Sequence, residues 1–470
     1  LTAPPPVGII CAHLVPTERR SGEFPEAMKV LVIGSGGREH ALCWAIRRSS
    51  KHSSQKLFCA PGNAGIAEVA ECVQLSATDV RGLADFAERE GVELTIVGGE
   101  APLAEGLADE FARRGLVVAG PSREAARLES SKAFAKDFML RHNVPTARHR
   151  VAASVEEARE ILRSGEFGTE ETPVVVKADG LAAGKGVVVA RTRAEAEEAV
   201  VEMMLGGRVG VDAAARVVIE EALKGREASL LLWTDGRDYR QMPPARDHKR
   251  VGESDTGPNT GGMGAITAPD VLDEETLRRA VSEIVEPTLA GARTDGLNFR
   301  GVLFVGLMLT PEGPRVLEYN VRFGDPEAQA ILVRLQSDLV EIFDAVARGR
   351  LGELEVEWSD EASACVVLAA RGYPESPVTG ARINGLVEAA QVPSVQIFHA
   401  GTARAADGSF QTAGGRVLGV TATGARLDEA LARCYDSVSH VKWDGMHYRR
   451  DIGKFVEGRR QKAEGSQSQS

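Results

Sequence analysis

Short apolar runs alternate with amphipathic stretches along the first part of the chain. Residues 29–33 form a compact, mostly apolar run that ends in glycines and leads into a helical pattern through Arg48. Further apolar runs at 57–60, 94–97 and 117–119 predict three more strands, with a helix over 102–114. Two of them end in the glycine turns Pro61-Gly62-Asn63-Ala64-Gly65 and Gly98-Gly99-Glu100. Strands that alternate with helices predict a parallel α/β sheet. Its ligands belong at the carboxyl ends of the strands, where the glycines lie.

The texture then shifts. A helical pattern over 130–142 is stopped by Val144-Pro145. Apolar runs at 174–177 and 187–190 flank a glycine-rich turn and predict a hairpin with a mobile loop. A helix over 195–205 and a strand over 217–219 follow, and 230–234 runs through Asp235-Gly236 into another strand. Residues 252–264 read as a nearly featureless loop, 273–291 as helical, and 302–309 and 316–319 as strands around Pro311-Glu312-Gly313. One long helix is predicted over 326–348. Beyond 350, short strands at 362–369, 395–399 and 417–421 and a helix near 427–438 predict a small α+β domain.

The expected fold class is therefore α/β and α+β multidomain. An N-terminal parallel α/β substrate domain spans 28–130, a central domain 131–350 carries a mobile flap subdomain at about 150–220, and a C-terminal α+β domain spans 351–457. The first convincing strand starts directly after Met28, which points to Met28 as the natural start and to 1–27 as a disordered extension. The polar, Ser/Gln-rich stretch 458–470 reads as a disordered tail.

Composition narrows the function. Apolar residues are 43% and charged residues 26% of 470, an ordinary globular balance. The formal charge of −11 argues against a nucleic-acid partner, which needs a basic surface. The six cysteines are scattered and form no CxxC pair, so a reducing, cytoplasmic setting is expected. No apolar run reaches the about 18–20 residues of a membrane helix, so no membrane partner is expected.

Four motifs carry candidate chemistry. Gly34-Ser35-Gly36-Gly37-Arg38-Glu39 ends a strand and opens a helix, where free backbone N–H groups suit a phosphate. Glu39 stands where a dinucleotide fingerprint needs its third glycine, so a sugar phosphate fits better than a dinucleotide, with a plain tight turn as the bland alternative. Lys177-Ala178-Asp179-Gly180-Leu181-Ala182-Ala183-Gly184-Lys185-Gly186-Val187 differs from a P-loop in spacing and lies between two strands. It suits a flap over a triphosphate; a simple hairpin does not explain a lysine inside the apolar run 174–176. Glu220-Glu221-Ala222-Leu223 offers backbone groups and carboxylates to a nucleoside, a weak signal alone. Glu318 and Asn320 are two apart on a strand, share a face, and offer oxygen ligands for Mg²⁺. Arg322 continues that parity if the strand persists, and could then face a transferring phosphoryl group.

Taken in this order, the glycine turn, the lysine–glycine flap, the EExL segment and the ExNxR strand resemble the ATP-grasp superfamily. Longer stretches resemble its glycinamide ribonucleotide synthetase family: Gly36-Gly37-Arg38-Glu39-His40-Ala41, Asp247-His248-Lys249-Arg250, Thr256-Gly257-Pro258-Asn259-Thr260-Gly261-Gly262-Met263-Gly264 and Arg322-Phe323-Gly324-Asp325-Pro326-Glu327. The resemblance runs from Met28 to about Lys454. It implies an ATP-grasp domain at 131–350 and ligation of glycine to 5-phosphoribosylamine through a glycyl phosphate, giving glycinamide ribonucleotide, ADP and phosphate in purine biosynthesis.

Carried over by position, the resemblance implies that Lys132, Lys177, Gly180, Gly184, Lys185 and Gly186 serve the ATP phosphates. Glu220, Glu221, Leu223 and Glu227 would line the adenosine site, and Glu318 and Asn320 would hold Mg²⁺ or Mn²⁺. Asp247, Lys249 and Arg322 would act at the reacting groups, with Pro258, Asn259, Thr260 and Gly261 near the substrates. Gly36, Gly37, Pro61, Gly62 and Asn63 would hold the ribose phosphate. Many ATP-grasp enzymes carry another metal-binding acid on the preceding strand; 302–309 has none, and Gly306-Leu307-Met308 matches the narrower family. Small molecules are the implied partners, with transient contact to neighbouring pathway enzymes. His40 is read either as a ligand contact or as a locally packed side chain. The rivals are another ATP-grasp carboxylate–amine ligase, a dinucleotide oxidoreductase and a non-catalytic nucleotide-binding regulator.

Overall fold

The computed structural model describes residues 28–48, 56–182, 186–207 and 215–454. The expected extension 1–27 and tail 458–470 lie outside them, as do Gly184 and Lys185 of the flap loop.

The first apolar runs build a five-stranded parallel sheet in the order Glu71–Cys72, Leu57–Pro61, Val30–Gly34, Leu94–Val97, Val118–Ala119. Both faces of the three central strands are covered, so these are buried without alternation. The strand order reverses beside Val30–Gly34, which opens a crevice at its carboxyl end.

Two antiparallel sheets make the centre. The outer one runs His149–Ala152, Val217–Glu221, Val174–Ala178, Val187–Ala190. The helices Val155–Arg163 and Arg193–Met204 pack together beside it and close a small core of their own. Both start the same way. Ser154 accepts from the Glu157 N–H and Thr192 from the Glu195 N–H, while those glutamates accept from the N–H groups of Ala153 and Arg191. Each helix start thus satisfies one first-turn donor and the N–H just before the cap with three local residues. The inner sheet runs Tyr239–Gln241, Arg226–Thr234, Gly301–Thr310, Gly313–Asn320.

The predicted loop 252–264 is more structured than expected. Arg250–Gly252 pairs with Thr256–Asn259, and Gly264–Thr267 is a fully buried strand. That strand joins Arg246–Asp247 to Ala362–Ala369, Arg416–Gly424 and Val395–His399 in one five-stranded sheet. Its longer partner, Ala362–Ala369, lies about a hundred residues on, so no local pattern marks it.

The predicted helix 326–348 is also corrected. It is two helices, Glu327–Leu332 and Leu339–Arg348. Asp338 accepts from the N–H groups of Val340 and Glu341 and so starts a new helix. Leu335 bridges to Trp358 in the gap. Among the described residues no helix is long and apolar enough to cross a membrane.

Candidate active site

Lys177 sits inside an apolar strand, yet its ammonium is provided for. Its Nζ lies 3.0 Å from Glu220 Oε2 and donates to Leu317 O at 3.0 Å. The strand pairing sets Lys177 beside Val218 and Val176 beside Ile219, which brings Glu220 within reach from the neighbouring strand. Glu221, with the opposite parity, points away and pairs with Arg148 at 2.8 Å. The two adjacent carboxylates therefore do different things.

The root of the flap is pinned to the helix Lys132–Arg141. Asp179 Oδ1 accepts from Ser131 Oγ at 2.9 Å and from the Ala133 N–H at 3.0 Å, while Lys132 Nζ donates to Gly180 O at 2.9 Å. Arg216 pairs with the other Asp179 oxygen at 2.5 Å. Burial lowers the Lys132 pKa, against the opposing charge of Glu318.

Opposite this wall, Lys249 joins two expected subsites. Its Nζ is 3.2 Å from Glu227 Oε2 and 3.7 Å from Glu318 Oε1. The Glu227 charge holds the Lys249 pKa up, against burial, with Glu318 adding to it. Burial alone would raise the Glu318 carboxyl, but Lys249, Lys177, Lys132 and Arg322 hold it below the usual range. Glu318 is therefore an ionised oxygen donor with cations on several sides. Asn320 Oδ1, on the same strand face, accepts from Arg322 at 3.2 Å. Among the described residues no group of three or more His, Cys, Asp or Glu is placed to hold a metal. Two oxygen donors fit a hard divalent cation whose remaining ligands come from nucleotide oxygens and water.

Arg322 is held by residues far away in sequence. Its Nη2 lies 2.8 Å from Glu129 Oε1, and its Nε 3.2 Å from Glu100 Oε2. Glu129 also accepts from the Val321 N–H at 2.8 Å, which fixes the end of the ExN strand. Sequence reasoning missed both acids. Glu100 did carry a signal, since it follows Gly98-Gly99 at the carboxyl end of a central strand.

Asp247 is anomalous. Its Oδ1 is buried with no hydrogen-bond partner among the described residues. Burial, with the charge of nearby Glu327, pushes its carboxyl well above the usual range. Glu327 is buried too, raised by that burial, and accepts from Ser229 Oγ at 3.1 Å. The loop over these acids is tight: Lys249 O accepts from the Thr260 N–H at 2.7 Å and from its Oγ1 at 2.8 Å. A side chain at Gly262 would strike Asp247 Oδ1 and Pro326. Pro258 is exposed and Asn259 half-buried, paired with Arg250.

The N-terminal glycine turn departs from its expectation. The Gly36 N–H is not free: it donates to Glu39 Oε2 at 2.6 Å. The carboxylate folds back into the turn, and a Cβ at Gly34 would meet its Cδ at 2.5 Å. Arg38 pairs with the other Glu39 oxygen at 2.6 Å and donates to Phe323 O at 2.9 Å. The polar atoms of Asn63 are committed as well. Its Nδ2 donates to Ser35 O and His399 O, and its Oδ1 accepts from the N–H groups of Gly65 and Ile66. Gly62 has φ +72°, and Pro61 ends the adjoining strand. Gly36 and Gly37 abut Asp325 and Gln329, so this turn does face the central domain. His40 is a packed side chain: its Nδ1 accepts from the His399 N–H at 2.8 Å, and burial lowers its pKa to about 3.

Arg416, from the C-terminal part, joins these pieces. It is 3.1 Å from Asp325 Oδ2 and donates to Asp325 O and Gly261 O. Asp325 is 91 residues away in sequence, so nothing local announces the pair.

Models of three parts of one family, described as the N domain, the ATP-grasp (A) domain and the C domain of phosphoribosylglycinamide synthetase, match residues 28–129, 130–328 and 363–455. A phosphoribosylamine–glycine ligase of Xanthomonas axonopodis pv. citri is 49% identical over 441 residues, covering 93% of this chain and 100% of the relative. One of Escherichia coli O6:H1 is 48% identical over 429 residues, covering 91% and 98%. The crystal structure of a phosphoribosylamine–glycine ligase from Thermotoga maritima is similar with a TM-score of 0.77 at 35% identity, covering 90% of this chain and 100% of that one. A biotin carboxylase from Campylobacter jejuni is similar in fold alone, with a TM-score of 0.64 at 15% identity, covering 89% and 92%.

Proposed function

The chain belongs to the phosphoribosylglycinamide synthetase family, and from that premise we propose how its site performs ATP-dependent formation of glycinamide ribonucleotide. The reaction joins glycine to 5-phosphoribosylamine in purine biosynthesis, with release of ADP and phosphate. A carboxylate resists attack by an amine. In our reading the glycine carboxylate first takes the γ-phosphoryl group of ATP, and the amine of phosphoribosylamine then displaces phosphate from glycyl phosphate.

Lys132 and Lys177 bind ATP phosphates in this reading, and the loop containing Gly180 and Gly186 covers them and keeps water from the acyl phosphate. The flap subdomain at about 150–220 moves with that loop. Glu220, Glu221, Leu223 and Glu227 border the adenosine, partly through backbone groups, since the Glu221 side chain turns away to Arg148. Glu318 and Asn320 would hold Mg²⁺ or Mn²⁺, which supplies charge neutralisation to the phosphates when bound. Arg322, held in place by Glu100 and Glu129, faces the phosphoryl group in transfer. Asp247 and Lys249 orient glycine, with Pro258, Asn259, Thr260 and Gly261 shaping the cover. No side chain forms a covalent bond to substrate, so the residues act by position and charge.

Gly36, Gly37, Pro61, Gly62 and Asn63 border the ribose phosphate at the carboxyl end of the parallel sheet. Asn63 shapes its turn there, since its own polar atoms are engaged internally. The partners are small molecules in a cytoplasmic setting, with contacts to neighbouring pathway enzymes transient.

The observation that carries this reading is the Lys249 bridge between Glu227 and Glu318, which sets the loop beginning at Asp247 against the expected nucleotide and metal wall. The test is phosphate release from ATP with glycine and freshly generated phosphoribosylamine, singly and together. Release that needs both, with glycinamide ribonucleotide on mass spectrometry, is expected. Glycine labelled with ¹⁸O in its carboxylate should pass one label into phosphate. Unlabelled phosphate alongside normal product would overturn the glycyl phosphate step.

A further inference from the structure

Lys136 lies outside every motif used above, yet it is 2% exposed and sits one helical turn after Lys132. Its Nζ is 3.1 Å from Glu220 Oε2, the same oxygen that Lys177 approaches to 3.0 Å. It also donates to Thr146 Oγ1 at 2.7 Å, and that hydroxyl donates to Val316 O at 2.7 Å. Two ammonium groups therefore share one carboxylate oxygen, while Glu220 Oε1 is buried without a partner among the described residues. Glu220 itself is 1% exposed.

The two lysines are not equivalent. Lys136 projects from a helix and is tethered by Thr146. Lys177 projects from the strand that runs into the glycine-rich turn, and its second partner is a neutral carbonyl. If Lys177 were the sole cation at Glu220, its departure would strand a buried carboxylate, which is strongly unfavourable. With Lys136 present, Glu220 keeps a charge partner.

We propose that Lys136 is a positioning residue: it is the standing counter-ion of Glu220, and it frees Lys177 to move from Glu220 to a nucleotide phosphate. This rests on the reading that Lys177 contacts ATP phosphates. Lys136 touches no substrate; it sets how tightly Glu220 retains the lysine that does.

The test compares binding of ATP with Mg²⁺ and binding of adenosine, which has no phosphate, to the full chain by calorimetry. Lys136→Met should raise the Kd for ATP about tenfold or more and that for adenosine by less than about twofold, since only the phosphate contact is lost. Lys136→Arg should keep the wild-type ratio of the two. In the background Glu220→Gln, which has no carboxylate to hold Lys177, adding Lys136→Met should change ATP binding by less than about threefold. Equal weakening of ATP and adenosine, or unchanged ATP binding, would overturn the proposal. So would a large loss of ATP binding in the Glu220→Gln background, which remains measurable if Lys136→Met alone does not fold. Lys177→Met is the control. If it spares ATP binding, the phosphate role of Lys177 fails, whatever Lys136 does.

Discussion

The central wall around Lys177 and Glu318 and the N-terminal turn around Gly36 and Asn63 both carry motif-like sequence, but they hold their polar groups differently. In the centre, charged side chains wait on one another across strands: Lys177 on Glu220, Lys249 on Glu227 and Glu318. Those partners are ionic and exchangeable, and an incoming phosphate or cation can replace them. At the N-terminal turn the groups are fixed by neutral or local bonds. Glu39 takes the Gly36 N–H, and Asn63 is bonded through both ends of its amide. Motif residues in the first region are therefore expected to set ligand binding and turnover, and those in the second to set the shape and stability of a crevice.

The largest effect should come from Glu318→Ala. Loss of an ionised donor from the strand proposed to face the phosphates should lower kcat by at least about a hundredfold with the melting temperature little changed. Near-normal turnover at saturating Mg²⁺ would remove Glu318 from the metal site. Lys177→Ala comes next. Loss of a charge-assisted contact of about 1.5–3 kcal/mol corresponds to a roughly 10–100-fold higher KM for ATP. A flat response of KM would break the contrast at its stronger side.

Asn63→Ala should act the other way round. It removes two acceptor and two donor bonds and should lower unfolding stability by about 1–3 kcal/mol, read from urea midpoints, with the KM for ATP unchanged. A KM for phosphoribosylamine that rises without loss of stability would make Asn63 a direct ligand instead.

A further effect is one of pH. Burial lowers the folded pKa of His40 to about 3 and that of His399 to about 4, against 6.5 for the free side chain. Between those values the unfolded chain binds more protons than the folded one. The stability contributed by the neutral histidines is thus fully present above pH 6.5 and declines as pH falls, down to about 4 for His399 and about 3 for His40. His40→Asn, which keeps an acceptor for the His399 N–H, should flatten part of that decline. An unchanged slope would show that other groups dominate it.

The difference between the regions also explains what was legible beforehand. Lys177 in an apolar run and the Glu318–Asn320 alternation are local patterns, and the structure sets them on strands as their parity predicts, whereas the strand ends at Asn320 and Arg322 is placed by Glu129 and Glu100 instead. Glu39 is local too, but its sequence position says only that a glycine is missing, not that the carboxylate turns back onto Gly36. The predicted helix 326–348 failed because a capping aspartate inside an apolar-periodic stretch looks like one more surface residue.

Apolar period, glycine turns and strand parity determined the parallel sheet, the flap hairpin and the face shared by Glu318 and Asn320, because each depends on residues a few positions apart. The tertiary structure alone decided that Glu129 and Glu100 hold Arg322, that Arg416 ties Asp325 to Gly261, and that Lys136 and Lys177 share Glu220. Those contacts join residues tens to hundreds of positions apart. A charge has no period along the chain, and its partner is chosen only when packing brings the two out of water together.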